Sequence, residues 1–307
     1  MKRRDFLKYS SLTGGWVLAK GVPHGGWKPE DKVKLTILHT NDVHSRIDPF
    51  PMDGSRLQGL GGAASRATMI KAIRKAEPNV LLLDVGDIFQ GTPYFNLYKG
   101  EIEMKTMTAL GYDASTIGNH DFDGGLEDLK TQLAFASFPL INSNYNLMDT
   151  PVHDMVKKYL IKNVEGVKIG IFGLGIELKG LVPDALAGNT QYLDPVSEGN
   201  KITAVLKQEL HCDYIICLSH LGYNYKDQKI SDQRIAPLLN HVDLILGGHT
   251  HTFLDNAYIT KNAEGNPLVI NQVGWGGTML GRLDIEFERN HKKNRCKTCK
   301  NEWVTNG

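Results

Sequence analysis

Five short stretches of the chain carry seven side chains able to hold a metal, and one of them also carries a histidine with an acid close by. "NDVH" contains Asp42 and His44, "GDIF" contains Asp87, and "GNHDFD" contains Asn119, His120, Asp121 and Asp123. "SHLG" contributes His220, and "GGHTH" contributes His249 and His251. Carboxylates, an amide oxygen and imidazoles together suit manganese, zinc, iron or cobalt, whereas calcium favours oxygen alone and soft metals favour sulfur. Asp42, His44, Asp87, Asn119, His220, His249 and His251 are too many donors for one four-coordinate ion. They suit two divalent ions ~3.5–4 Å apart that share a carboxylate. Asp87, on a central strand and preceded by Gly86, is the natural bridge. Taken singly, each His has a simpler reading as a surface or satisfied core residue. Asp87 alone could cap a turn, and "GGHTH" alone could be a tight loop. Asp84, just before, reads as a hydrogen-bonded core acid. Five separate stretches with the same chemistry are hard to obtain from packing alone.

The elements that must position these groups follow from periodicity. From "VKLTILHTND" onward, β-rich runs at residues 33–39, 79–85, 114–118, 167–173, 213–219 and 242–247 alternate with helical patterns at 63–77, 101–110, 125–136, 198–210 and 230–240. The alternation predicts an α/β fold whose strands are buried and mostly parallel. Each candidate stretch falls at the C-terminal end of such a strand, and in open α/β sheets those ends form the ligand-binding edge. In "DVH" and "HTH", alternate residues of extended chain face the same way, so each pair can serve one site. "NAYIT", "PLVINQ" and "RLDIEFE" follow without helices between them and predict an antiparallel addition.

Composition sets outer bounds. The chain has 307 residues, 41% of them hydrophobic, with 35 basic and 34 acidic side chains. This is ordinary globular content, with no net field to attract a nucleic acid polymer or an anionic membrane. No apolar run is long enough for a spanning helix. The N-terminal "MKRRDFLKYSSLTGG" resembles a twin-arginine export signal through Arg3, Arg4, Phe6 and Leu7. It implies delivery of a folded protein to the periplasm or the extracellular space. The expected organisation is a leader over 1–30, one catalytic domain over 31–289 and a polar, mobile tail over 290–307. Cys212 and Cys217 read as core packing. Cys296 and Cys299, in "CKTC", are half of a zinc site or a local disulfide, and no function is assigned to them.

"NDVH", "GDIFQGTP", "GNHDFD", "SHLG" and "GGHTH", in this order, resemble the calcineurin-like metallophosphoesterases. More narrowly, they resemble the catalytic domain of the 5'-nucleotidase and UDP-sugar hydrolase family, over about residues 33–287. The resemblance implies a sandwich of two mixed β-sheets flanked by helices, with a dinuclear site at the strand ends. One metal would take Asp42, His44, Asp87 and His251, and the other Asp87, Asn119, His220 and His249. His120 would stabilise the transition state, with Asp123 as its orienting partner. Asn119 and His120 would touch the substrate phosphate, and Asp121 has no catalytic role. Hydrolysis would proceed by in-line attack of a hydroxide activated between the two ions.

The family's two-domain members add a second domain that supplies substrate-binding arginines and base-stacking aromatics. Only about twenty residues follow "GRLDIEFE", so that domain is expected to be absent. A nucleotide is the expected substrate. A cyclic nucleotide, a UDP-sugar or a thiosulfate ester are the alternatives, as is recognition through a substrate-binding domain on a separate chain. A metal-binding module without catalysis is disfavoured, because His120 and Asp123 are not needed to hold metal.

Overall fold

Alternating buried runs set the architecture. In β1 (Lys32–Thr40), Val33, Leu35 and Ile37 face one way and Leu38 the other; in β2 (Val80–Asp84), Leu81 and Leu83 oppose Leu82 in the same manner. A strand with apolar residues on both faces must be covered on both. The computed structural model describes residues 32–288 and 294–306, which belong to one compact unit. The expected leader over 1–30 lies outside the described residues.

The remaining strands are β3 (Ala114–Ser115), β4 (Leu140–Ile141), β5 (Tyr145–Asn146), β6 (Val156–Lys157), β7 (Tyr159–Val164), β8 (Val167–Gly175), β9 (Gln191–Tyr192), β10 (Tyr214–His220) and β11 (Leu244–Gly247). β12 (Tyr258–Lys261), β13 (Pro267–Asn271), β14 (Met279–Glu288) and β15 (Asn294–Trp303) complete the set. Among the described residues they form a seven-stranded sheet ordered β15-β14-β1-β2-β3-β4-β6 and a six-stranded sheet ordered β12-β13-β11-β10-β8-β7. β5 and β9 pair by themselves. Each large sheet is parallel at its centre and antiparallel toward an edge, where β14 runs against β1 and β7 against β8.

The sheets pack face to face through Leu35, Ile37, Leu81, Leu83, Ile171, Ile216, Leu218, Leu244 and Leu246. The outer face of the first sheet meets α1 (Ala63–Ala76), α3 (Glu101–Leu110) and α4 (Gly125–Leu133) through Ile70, Met104, Met107 and Leu129. The outer face of the second carries Phe172, Cys217 and Ile245 in one cluster with Leu206 and Leu239, which lie on separate segments before and after β10. The result is the mixed α/β sandwich expected. No helix among the described residues is long and apolar enough to cross a membrane.

Several elements depart from expectation, each for a local reason. The helix expected over 230–240 shrinks to α7 (Asp232–Ile235) and a 3₁₀ turn at Ala236–Leu238, where Pro237 cannot continue the ladder. The helix expected at 198–210 starts earlier, as α6 (Pro195–Ala204), because Asp194 caps it by accepting the Ser197 N–H at 2.7 Å and Pro195 is preset for its first turn. α2 (Pro93–Tyr98) and α5 (Asp184–Ala187) were not expected. "PLVINQ" is parallel to β11, and the antiparallel additions in that region are β12 and β14. Within the span expected to be a mobile tail, residues 294–303 form β15, which pairs with β14, and Lys297 bulges out of register. The extra residue places Cys296 and Cys299 opposite Ile285 and Leu283, on one face, where a disulfide joins them. Cys212 and Cys217 are buried and free, as their core reading implies.

Candidate metal centre

The seven ligand candidates converge at the C-terminal edge of both sheets. Potential ligand atoms of Asp42, His44, Asp87 and His251 all lie within 4.8 Å of one another, and so do those of Asp87, His220 and His249. Asp87 belongs to both groups. Asn119 joins through its side-chain oxygen, 2.8 Å from His249 Nδ1.

Backbone geometry shows how strongly the fold imposes this arrangement. Asp42, His44, Asp87, His249 and His251 all occupy the left-handed region, with φ of 50°, 51°, 51°, 71° and 51°. Residues with a Cβ avoid it, at a cost of roughly 1–3 kcal/mol each, unless their surroundings over-determine them. Here the loops after β1 and β2 keep pairing beyond their strands: the N–H groups of Asp42, His44 and Ser45 donate to the carbonyls of Gly86, Asp87 and Ile88 at 2.8–3.0 Å. The His249 N–H donates to the Asp42 carboxylate at 3.0 Å, and the Gly276 N–H to the Asp42 carbonyl at 2.7 Å. Gly118 permits a close approach, since a Cβ there would fall 2.2 Å from Asp87 Oδ1. β3 itself ends after two residues rather than the five expected.

Asp121 is the scaffold beneath the site. Its carboxylate accepts N–H bonds from Asp87, Ile88, Phe89 and Gly118 at 2.8–3.3 Å, locking "GDIF" to "GNHD". This is a structural use of the residue. Asp84 is the buried core acid expected, accepting from Thr40, Gly86 and Ser115. Asn41, overlooked in the sequence, donates to Asp42 Oδ2 and to the Gly274 carbonyl, both at 2.6 Å, and so fixes the carboxylate's orientation.

The donor set fits cations. His44 Nδ1 faces the Phe89 carbonyl at 3.2 Å and His220 Nδ1 the Val85 carbonyl at 2.6 Å, so each ring turns Nε2 toward the cluster. His44 Nε2 and His251 Nε2 stand 3.0 Å apart, nitrogen facing nitrogen. His220 Nε2 is buried without a hydrogen-bond partner, although Asp87 Oδ2 is 3.2 Å away. An orphaned buried nitrogen and two nitrogens set face to face, beside two carboxylates, are what a divalent ion would satisfy.

The histidines also divide electrostatically. Burial lowers the pKa of His44, and burial together with the charge of His220 lowers that of His249 to about 4, which leaves both neutral and fit for ligation. Burial pulls His220 down as well, but the Asp87 carboxylate outweighs it and lifts the ring to about 10, so a cation at Nε2 would displace a proton. His120, half-buried, is raised by its hydrogen bond to Asp123, with Nδ1 2.8 Å from Oδ2. The His120 N–H also donates to Asp87 Oδ1 at 2.8 Å, which ties this dyad to the shared carboxylate.

Sequence reasoning missed the aromatic flank. Trp275 stacks on His251, and Phe50 meets Trp275 edge-on. The available signal was "GWGG", a large ring among glycines.

Comparison with known proteins agrees with this geometry. The family model for the calcineurin-like phosphoesterases matches residues 35–253. A snake venom 5'-nucleotidase from Gloydius brevicauda is 34% identical over 279 residues, 83% of this chain and 45% of the relative. The 5'-nucleotidase of Homo sapiens is 33% identical over 283 residues, 85% of this chain and 48% of the relative. Among solved structures, a 5'-nucleotidase precursor from Thermus thermophilus superposes with a TM-score of 0.76 at 29% identity, covering 88% of this chain and 54% of that one. The chain spans about half the length of the curated relatives it matches.

Proposed function

Because the chain belongs to the calcineurin-like phosphoesterases, we propose that it is a metal-dependent phosphoesterase of 5'-nucleotidase type that hydrolyses phosphate monoesters of nucleotides. The observation that carries the reading is the shared carboxylate: Asp87 belongs to both ligand groups and accepts the backbone N–H of His120. In this reading Asp42, His44, Asp87 and His251 hold one ion, and Asp87, Asn119, His220 and His249 hold a second. Bound divalent ions supply Lewis acidity toward phosphoryl oxygens and lower the pKa of water enough for attack near neutral pH. The chain's own groups do the rest. Asp123 engages Nδ1 of His120 and favours the imidazolium, leaving Nε2 to meet the phosphoryl group or its leaving oxygen. Asn119 places its amide beside the same phosphate, and Asp121 keeps both loops in place before substrate arrives.

Export by the twin-arginine route is part of the proposal and rests on Arg3, Arg4, Phe6 and Leu7. The test of function is direct. Protein loaded with manganese or zinc should approach two ions per chain and release phosphate from AMP, and a chelator should abolish the release. Full turnover in chelator, or a metal content that stays at zero, would refute it.

A further inference from the structure

Beside the metal edge lies a pocket of about 550 Å³ lined by Arg46, Phe50, Arg56, Leu57, Phe253 and Trp275, among others. Trp275 links it to the cluster. Its indole stacks on the imidazole of His251, with centroids 5.5 Å apart and planes 11° from parallel, and meets His44 edge-on at 6.4 Å.

The other rings are also braced. Phe50 packs edge-on against Trp275 at 5.2 Å and carries the Arg46 guanidinium 4.0 Å from its centroid. Phe253 stacks on Trp303 at 5.6 Å, with Arg56 5.6 Å from its ring. Trp303 ends β15, so the last strand supports this wall. The loop that presents Trp275 depends on its glycines. A Cβ on Gly274 would fall 2.3 Å from Phe253, and one on Gly276 2.7 Å from Phe50, while both residues have positive φ. The "GWGG" backbone can therefore pass close to both phenyl rings only because the residues flanking Trp275 lack side chains.

Phe50, Phe253 and Trp275 are each only partly buried. Three braced aromatic rings and two guanidinium groups around one cavity form a surface that gains little from water and much from a flat π-system. We propose that this pocket takes the planar aromatic part of the phosphate ester, a nucleobase when the substrate is a nucleotide, while the phosphate lies at the metal edge beyond His251. The proposal rests on the phosphoesterase reading above and assigns its substrate class to residues of this chain. A small aliphatic alcohol on the same phosphate would leave the rings unused.

The test compares AMP with glycerol phosphate at matched metal content. Phe50→Ala and Phe253→Ala are each expected to lower the ratio of kcat/KM for AMP over glycerol phosphate by roughly tenfold or more, mainly through KM, as loss of a base-stacking ring does. An unchanged ratio in both variants overturns the pocket. Adenosine, which has no phosphate to lose, gives a readout free of turnover. It should quench tryptophan fluorescence, with the quench lost in Trp275→Phe and weakened in Phe50→Ala. No quench overturns the pocket even if AMP is hydrolysed. A quench without hydrolysis of any ester supports the pocket and overturns the phosphoesterase reading.

Discussion

The two ends of the six-stranded sheet carry similar side chains to opposite effect. At the C-terminal ends of β10 and β11, His220, His249 and His251 meet Asp42 and Asp87 from the other sheet. At the N-terminal ends of β10, β11 and β13 lies a larger pocket, about 750 Å³, whose lining includes Lys207, Tyr214, His241, Asp243 and Glu264. Its groups satisfy one another: His241 Nδ1 pairs with Glu264 at 2.9 Å, and Asp243 accepts the Ile215 N–H at 2.9 Å. At the opposite edge, His44 and His251 point nitrogen at nitrogen, and His220 Nε2 has no hydrogen-bond partner. Volume therefore does not mark the chemical end of this molecule. Convergent, incompletely satisfied donors held by strained backbone do.

The contrast breaks most completely at Asp87. Asp87→Asn removes the charge shared by both ligand groups, so metal affinity should fall beyond roughly the 100-fold typical of losing an outer support, and activity should fall with it. Metal analysis after gel filtration checks this. Retention of full metal content would show that Asp87 bridges nothing. His120→Asn should separate holding metal from doing chemistry. It should keep the metal and lose ~10²–10⁴-fold in kcat, with the largest loss on esters of poor leaving groups. Asp123→Asn should lose less, because the imidazole stays and only its orientation and proton affinity change. If Asp123→Asn proved the more damaging, the assigned order of roles within "GNHDFD" would be wrong.

The legibility of the two edges in the sequence differs for the same physical reason. The strands β1, β2, β8, β10 and β11 could be placed within a few residues because buried runs such as "VLLLD" and "YIICLSH" announce themselves. All seven ligand candidates were visible as residue types at strand ends, and the structure brings all seven together. Their left-handed backbone was not visible, since it is imposed by pairing between loops more than forty positions apart, such as His44 with Asp87. Nor was β15. Its polar residues read as a tail, yet they complete an exposed edge of the sheet, and Asn301 reaches back to Asn271 and the Leu254 carbonyl. β7 was missed although "VEGV" is a hairpin turn in which Glu165 and Gly166 both take positive φ. The aromatic pocket draws Phe50, Phe253 and Trp275 from three loops, and no local pattern relates them.

The smallest expected effect lies at the quiet edge and concerns stability rather than turnover. Burial pushes the Asp243 carboxyl from 3.8 up to about 6, against the Ile215 N–H and Lys207, which favour the ionised form; Glu264 adds to the rise. The folded protein therefore binds this proton more tightly than the unfolded chain does. Below pH ~4 both states are protonated and Asp243 costs nothing. Between that pH and about 6 the unfolded chain releases the proton first, so stability falls as pH rises, and above that window the cost is constant at no more than about 3 kcal/mol. Asp243→Asn keeps an oxygen for the Ile215 N–H and removes the titration. Relative to the parent protein, its thermal midpoint should be nearly equal at pH 4, gain progressively up to pH 6 and hold the gain at pH 7. AMP hydrolysis should be unaffected, since Asp243 lies at the far end of the strands from the metal edge. A midpoint difference that shrank with rising pH would show that the carboxylate is stabilised by its neighbours, and the two edges would then differ less than their geometry implies.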